Sequence, residues 1–194
     1  MMHERPPKEI ALDVIIYERD LLRHCAKTVD AKKEYADKSP SPENKAEYYL
    51  AIEGFLLHYR NLLGFFINKK YIKKNVSTDI TLDQPEKWAE RRPVDESFCR
   101  KLTERAERVN KTHGIYGDDE NDCYGKISWF LQHCTDYRYK AQRDWDIEGM
   151  YADLSPILDD FVASVMPVAE VAEVISLGDG NHSTATITKT GPLF

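Results

Sequence analysis

Glu53, His58, Arg60 and Asn61 interrupt an otherwise apolar stretch at 48–67, YYLAIEGFLLHYRNLLGFFI. Carboxylate, imidazole, guanidinium and amide are the groups that bind anions or move protons. Enclosing them in apolar surface is costly unless they are paired or used. A second set lies at 126–138, KISWFLQHCTDYR, where Arg138 shares a helical line with Ile127, Phe130, Leu131 and Cys134. A guanidinium there keeps its charge and needs a carboxylate or several carbonyls. Steps of about 100° per residue put Glu53 and Arg60 about 20° apart and about 10 Å apart along a helix, a separation suited to a shared third partner. His58 and Arg60 are about 200° apart, so the HYR triplet does not aim both side chains into one pocket.

Three readings of these residues stand side by side. Glu53, Arg60 and Arg138 form a buried salt-bridge network that registers the helices. Alternatively, Arg60, Asn61, Glu53, His133 and Arg138 form a binding site for a small ligand or a nucleotide. In the third, Arg60 holds a scissile phosphate and His133 exchanges protons with a ribose hydroxyl, making the chain a metal-independent ribonuclease. His133 sits at the border of the core as the i,i+4 neighbour of Trp129. His113, near a helix end, suits dipole stabilisation.

Other chemistries lack their residues. A di-iron bundle needs Glu-x-x-His, and Glu53 is followed at three by Leu56. Cys25, Cys99, Cys123 and Cys134 are too scattered for a zinc site and read as free thiols. Asp118, Glu120 and Asp122 mimic the opening of a calcium loop, but Cys123 stands where glycine is required. No GxGxxG, GxxxxGK or GxSxG is present. Neither a metal nor a cofactor is expected. The net charge of −6 disfavours broad nucleic-acid binding. A local basic cluster, Lys69, Lys70, Lys73 and Lys74, reads as C-terminal helix charge, with a phosphate-binding patch as the alternative.

The elements that position these groups read as helices. The first spans Glu9 to about Lys33, with Val14, Ile15, Leu21, Leu22, Cys25 and Val29 on one side, although ALDVIIY at its start also suits a strand. Ser39-Pro40-Ser41-Pro42 breaks the chain. Ser41 then caps a helix opened by Pro42 and running to about Lys74, apolar enough to meet three neighbours. Residues 75–92 read as a crossing loop anchored by Trp88. Further helices start near Pro93, with Asp95 and Glu96 in the first turn and Gly114 as the stop, and cover about Asp122 to Lys140 and about Ile147 to Met166. Pro156 is expected to kink or restart the last one.

The stretch AIEGFLLHYRNLLGFF at 51–66 resembles the ESFLLHARNLxDFF signature of a family of uncharacterised bacterial helical proteins. KISWFLQHCTDYR resembles that family's second signature, INKxLAHLTxxR, with His133, Thr135 and Arg138 on its His, Thr and Arg positions. The helical layout is similar to HEPN domains, many of them RNases or toxin partners that use Arg-polar-x-x-x-His and that often pair. Arg60-Asn61 matches that opening, but Phe65, Phe66 and Ile67 occupy the window where the histidine belongs. The resemblance therefore implies a helical fold and a homodimer, and leaves the nuclease without its base unless His133 supplies it.

The expectation is an all-α protein: an up-and-down bundle of four to five helices around a long central helix, with 1–166 as one domain and 167–194 as a mobile tail. The runner-up adds a β edge at Thr184 to Thr188 from that tail. MMHERPPKE has no signal-like apolar region, and the apolar stretch at 48–67 is too interrupted to span a membrane, so the cytoplasm is the expected location. The expected function is a non-catalytic binding or interaction module, with the ribonuclease as alternative.

Overall fold

The computed structural model describes residues 8–67, 80–83, 95–113, 122–132 and 145–165. They form five helices: α1 (Lys8–Lys38), α2 (Pro42–Phe66), α3 (Glu96–Thr112), α4 (Cys123–Gln132) and α5 (Ile147–Val165). The protein is an all-α bundle. No described helix is long and apolar enough to cross a membrane. Trp88, Gly114, the lysine cluster at 69–74 and the tail with its β edge lie outside the described residues.

α2 is the central element and packs against each of the other four helices. The reason lies in its composition: Ile52, Phe55, Leu56, Tyr59, Leu62, Leu63, Phe65 and Phe66 are all buried, which takes more than one stripe. Ser41 starts the helix as anticipated, its hydroxyl accepting from Asn44 N–H at 3.1 Å with Pro42 in the first turn.

The central helix ends earlier than its apolar pattern suggests. It stops at Phe66, with Ile67 as its cap, not at Lys74. Donors from elsewhere in the fold meet its last carbonyls. Leu82 N–H donates to Phe65 O at 3.0 Å, and Thr103 Oγ1 donates to Phe66 O at 3.0 Å. Terminal carbonyls satisfied in this way need no further helical turn. Leu82 and Thr81 are each only 1% exposed, so this pair is a buried anchor that the sequence pattern did not single out.

α1 is helical throughout and extends to Lys38, so ALDVIIY is not a strand. Its buried side is Ile15, Ile16, Leu22, Val29 and Ala36, whereas Val14 is 42% exposed. The longer, slightly rotated face follows from α1 pairing with α2 as an antiparallel hairpin. Lys32 pairs with Glu47 at one end, and Glu18 meets His58 near the other.

α5 runs unbroken through Pro156, contrary to the expected kink or restart. Pro156 and Ala152, whose carbonyl loses its helical donor, are both exposed, on the side of α5 where a lost helical bond is least costly. Leu154, Ile157, Leu158 and Phe161 are buried on the opposite side and hold both halves to one core. The rings of Phe65, Phe66 and Phe161 meet edge to face, at 5.0, 5.1 and 5.9 Å between centroids. α3 lies antiparallel to α5, tied by Arg105–Asp160 at 2.5 Å and His113–Asp153 at 2.9 Å.

Candidate anion-binding site

α4 begins on two caps. Asp122 Oδ1 accepts from Gly125 N–H at 2.8 Å, and Asn110 Oδ1 accepts from Tyr124 N–H at 2.9 Å. Asn110 Nδ2 closes the arrangement by donating to Asp122 Oδ2 at 2.9 Å. Asp122 is thus a helix cap whose two carboxylate oxygens both accept from protein groups; Asp118 and Glu120 lie outside the described residues. Among the described residues no cluster of ligating side chains suits a metal ion.

Fixed in this way, α4 runs antiparallel to α2 and presents Tyr124 and Ser128 to Arg60. Arg60 Nε donates to Ser128 Oγ at 2.6 Å, and Nη2 approaches Tyr124 Oη at 3.4 Å. Ser128 Oγ donates in turn to Tyr124 O at 2.8 Å, which leaves its lone pair for the guanidinium. The Tyr124 ring lies 5.1 Å from the guanidinium carbon, a cation–π distance.

Arg60 has no carboxylate partner among the described residues, so a Glu53–Arg60 pair does not form. Its ties are to neutral oxygens and a π face. Arg60 is half-buried, and among the described residues its hydrogen bonds use Nε and Nη2 and leave Nη1 unengaged. The side-on edge of the guanidinium, Nε with Nη2, is occupied by protein. The end-on edge, Nη1 with Nη2, is the fork left for a ligand, and its geometry matches a carboxylate or phosphate.

Of the other expected site residues, Asn61 is turned away from Arg60. His58 Nδ1–H donates to Glu18 Oε2 at 2.8 Å, and Asn61 Nδ2 donates to the same oxygen at 3.2 Å. His58 and Asn61 therefore face α1, and Asn61 does not join Arg60 in one site. The cause is helical rotation: one residue turns the side chain by about 100°, from α4 to α1. Glu53 is half-buried. His133, Thr135 and Arg138 lie outside the described residues. Trp129, expected at the border of the core, is 51% exposed.

Tyr124, Ser128 and Gly64 were not anticipated as site residues. Ser128 and Tyr124 are four apart, as are Arg60 and Gly64, but nothing in the chain pairs the two helices in that register before they fold. A Cβ on Gly64 would come 2.9 Å from Tyr124 Cε2, so the ring occupies the space that glycine leaves open.

The thiols are outside this chemistry. Cys25, Cys99 and Cys123 are free; Cys134 lies outside the described residues. Burial pushes the Cys123 thiol up to about 12, with the Asp122 charge adding to it, so it stays protonated and unreactive. Burial likewise raises Cys25 and Cys99. Burial also raises the Tyr59 phenol, with smaller contributions from Cys123 and Asp153, and its hydroxyl meets no partner.

No family model, curated protein or solved structure matches this chain.

Proposed function

We propose that the protein is a non-catalytic binding module in which the end-on fork of Arg60 takes the oxyanion of a small ligand, a phosphate ester being the favoured class. The observation that carries this reading is a half-buried guanidinium tied to Ser128 and Tyr124 with no described carboxylate to neutralise it. A structural arginine ordinarily meets a carboxylate where it is taken from water. This one is oriented by neutral groups and keeps its charge for something else. The Tyr124 face and the Ser128 hydroxyl hold it without cancelling that charge.

The same guanidinium is the phosphate-holding half of the ribonuclease reading, which also needs a proton acceptor. His58 does not supply it, because it is turned to α1 against Glu18. That reading depends on His133.

Titration of the full chain with inorganic phosphate, a 5′-mononucleotide and acetate, followed by calorimetry, tests the binding module. The expected result is saturable phosphate or nucleotide binding that is lost in Arg60→Met. Equal heats in both proteins reject it. Incubation with mixed RNA plus chelator, against His133→Ala, separates the alternative: cleavage by the parent alone supports the ribonuclease, and absent or equal cleavage removes it.

A further inference from the structure

We infer that Gly64 is a positioning residue for the Arg60 fork, acting through the ring of Tyr124; the inference rests on the binding reading above. Gly64 is buried one turn beyond Arg60 on the face of α2 that meets α4. Gly64 lies in the last turn of α2 and has no positive φ, so its backbone does not require glycine, and a close approach is the remaining reason for one. That approach is visible. An added Cβ would sit 2.9 Å from Tyr124 Cε2, 3.7 Å from Cδ2 and 3.8 Å from Cζ. The first distance is well inside contact, so the ring would have to move.

The same ring is the platform of the guanidinium. Its face lies 5.1 Å from the Arg60 guanidinium carbon, and its hydroxyl is 3.4 Å from Nη2. Ser128 holds only Nε, leaving rotation about that bond for Tyr124 to limit. A methyl group at position 64 displaces the ring, and the ring carries the fork with it. Gly64 therefore touches neither Arg60 nor a ligand, yet determines where the open Nη1–Nη2 edge points. Tyr124 contributes its face more than its hydroxyl, because the face holds the charge and the 3.4 Å bond is long.

The test compares the wild type with Gly64→Ala, Tyr124→Leu and Tyr124→Phe. Two readouts are used: the Arg60 Nε–H signal in nitrogen-15 NMR without ligand, assigned by its loss in Arg60→Lys, and the affinity for inorganic phosphate. In the wild type the Nε–H signal is resolved and protected. Gly64→Ala and Tyr124→Leu shift it, speed its exchange and weaken phosphate binding about tenfold, while Tyr124→Phe stays within about twofold. A purely structural glycine would change the melting temperature and leave the Arg60 signal in place. Retention of both signal and affinity in Gly64→Ala overturns the inference. Should Gly64→Ala not fold, Tyr124→Leu decides, and an unchanged signal there overturns it equally. A wild type that shows the protected signal but no phosphate binding removes the binding reading alone, and the ligand-free signal still judges Gly64.

Discussion

Glu18 on α1 and His58 on α2 share a hydrogen bond of 2.8 Å across the hairpin, and the same carboxylate oxygen receives Asn61 at 3.2 Å. Both partners are mostly sheltered, at 13% exposed for His58 and 18% for Glu18. The edge of Tyr17 packs against the imidazole, at 6.4 Å between centroids and 88° between planes. The link fixes the register of the first two helices at the end opposite the Lys32–Glu47 pair. Glu18→Ala, His58→Ala and the double variant, compared by urea denaturation, should give a coupling energy of about 1 kcal/mol. Strict additivity of the two single losses would show that the contact stabilises nothing.

Arg60→Met separates a registering arginine from a binding one. Removing one partner of a buried ion pair costs about 3–5 kcal/mol. Here the partners are hydroxyls and a ring, so the expected loss of stability is below about 1 kcal/mol. Chemical denaturation measures it, and a loss in the ion-pair range would restore the salt-bridge network.

Tyr59→Phe should leave stability unchanged or raise it by up to about 2 kcal/mol. The Tyr59 ring is fully buried and stacks on Phe55 at 5.6 Å, but its hydroxyl has no partner. Phenylalanine keeps the packing and removes the stranded group. A clear fall in melting temperature would mean that the hydroxyl is satisfied in solution.

Asn110→Ala removes three things together: the donor to Asp122, the acceptor for Tyr124 N–H and the link from α3 to the start of α4. Asn110 is only 6% exposed, so water does not simply take its place. The expected cost is about 2–3 kcal/mol. Because these caps place Tyr124 and Ser128, phosphate affinity should fall as well, read by calorimetry under conditions where the variant remains folded.

The buried thiol of Cys123 gives the protein an alkaline limit. Its ordinary value is 9.0, and burial raises it to about 12 in the folded chain. Below 9.0 the thiol is protonated in both states, and its contribution is present in full. As pH rises from there towards about 12, the unfolded chain loses the proton first, so stability falls across that window. Tyr59, raised by burial, adds to the decline with the same sign. Urea midpoints measured on either side of pH 9.0 should drop for the wild type and drop less for Cys123→Ala. Parallel curves for the two proteins would show that Cys123 is not the cause.

Much of the fold was legible in the chain because burial in helices leaves a period. The caps and stripes located α2, α3 and α5, and Ser41 and Pro42 marked the start of α2 to the residue. The stop of α2 was not legible, since the donors that end it, Leu82 N–H and Thr103 Oγ1, lie 17 and 37 residues further along the chain. Pro156 misled for a related reason: its local penalty is real, but the core on the opposite face outweighs it.

For the candidate site, residue type singled out Arg60 as a charge needing a partner, and helical angles separated it from His58. Those are properties of one element, and a sequence states them directly. Which groups meet the guanidinium is a relation between two elements. Only the packed register of α2 against α4 put Tyr124 and Ser128 beside Arg60, turned Asn61 away to Glu18, and showed why position 64 has no side chain. A helix's own geometry is set by short-range sterics written in adjacent residues, whereas the register between helices is settled by the close fit of many distant side chains at once.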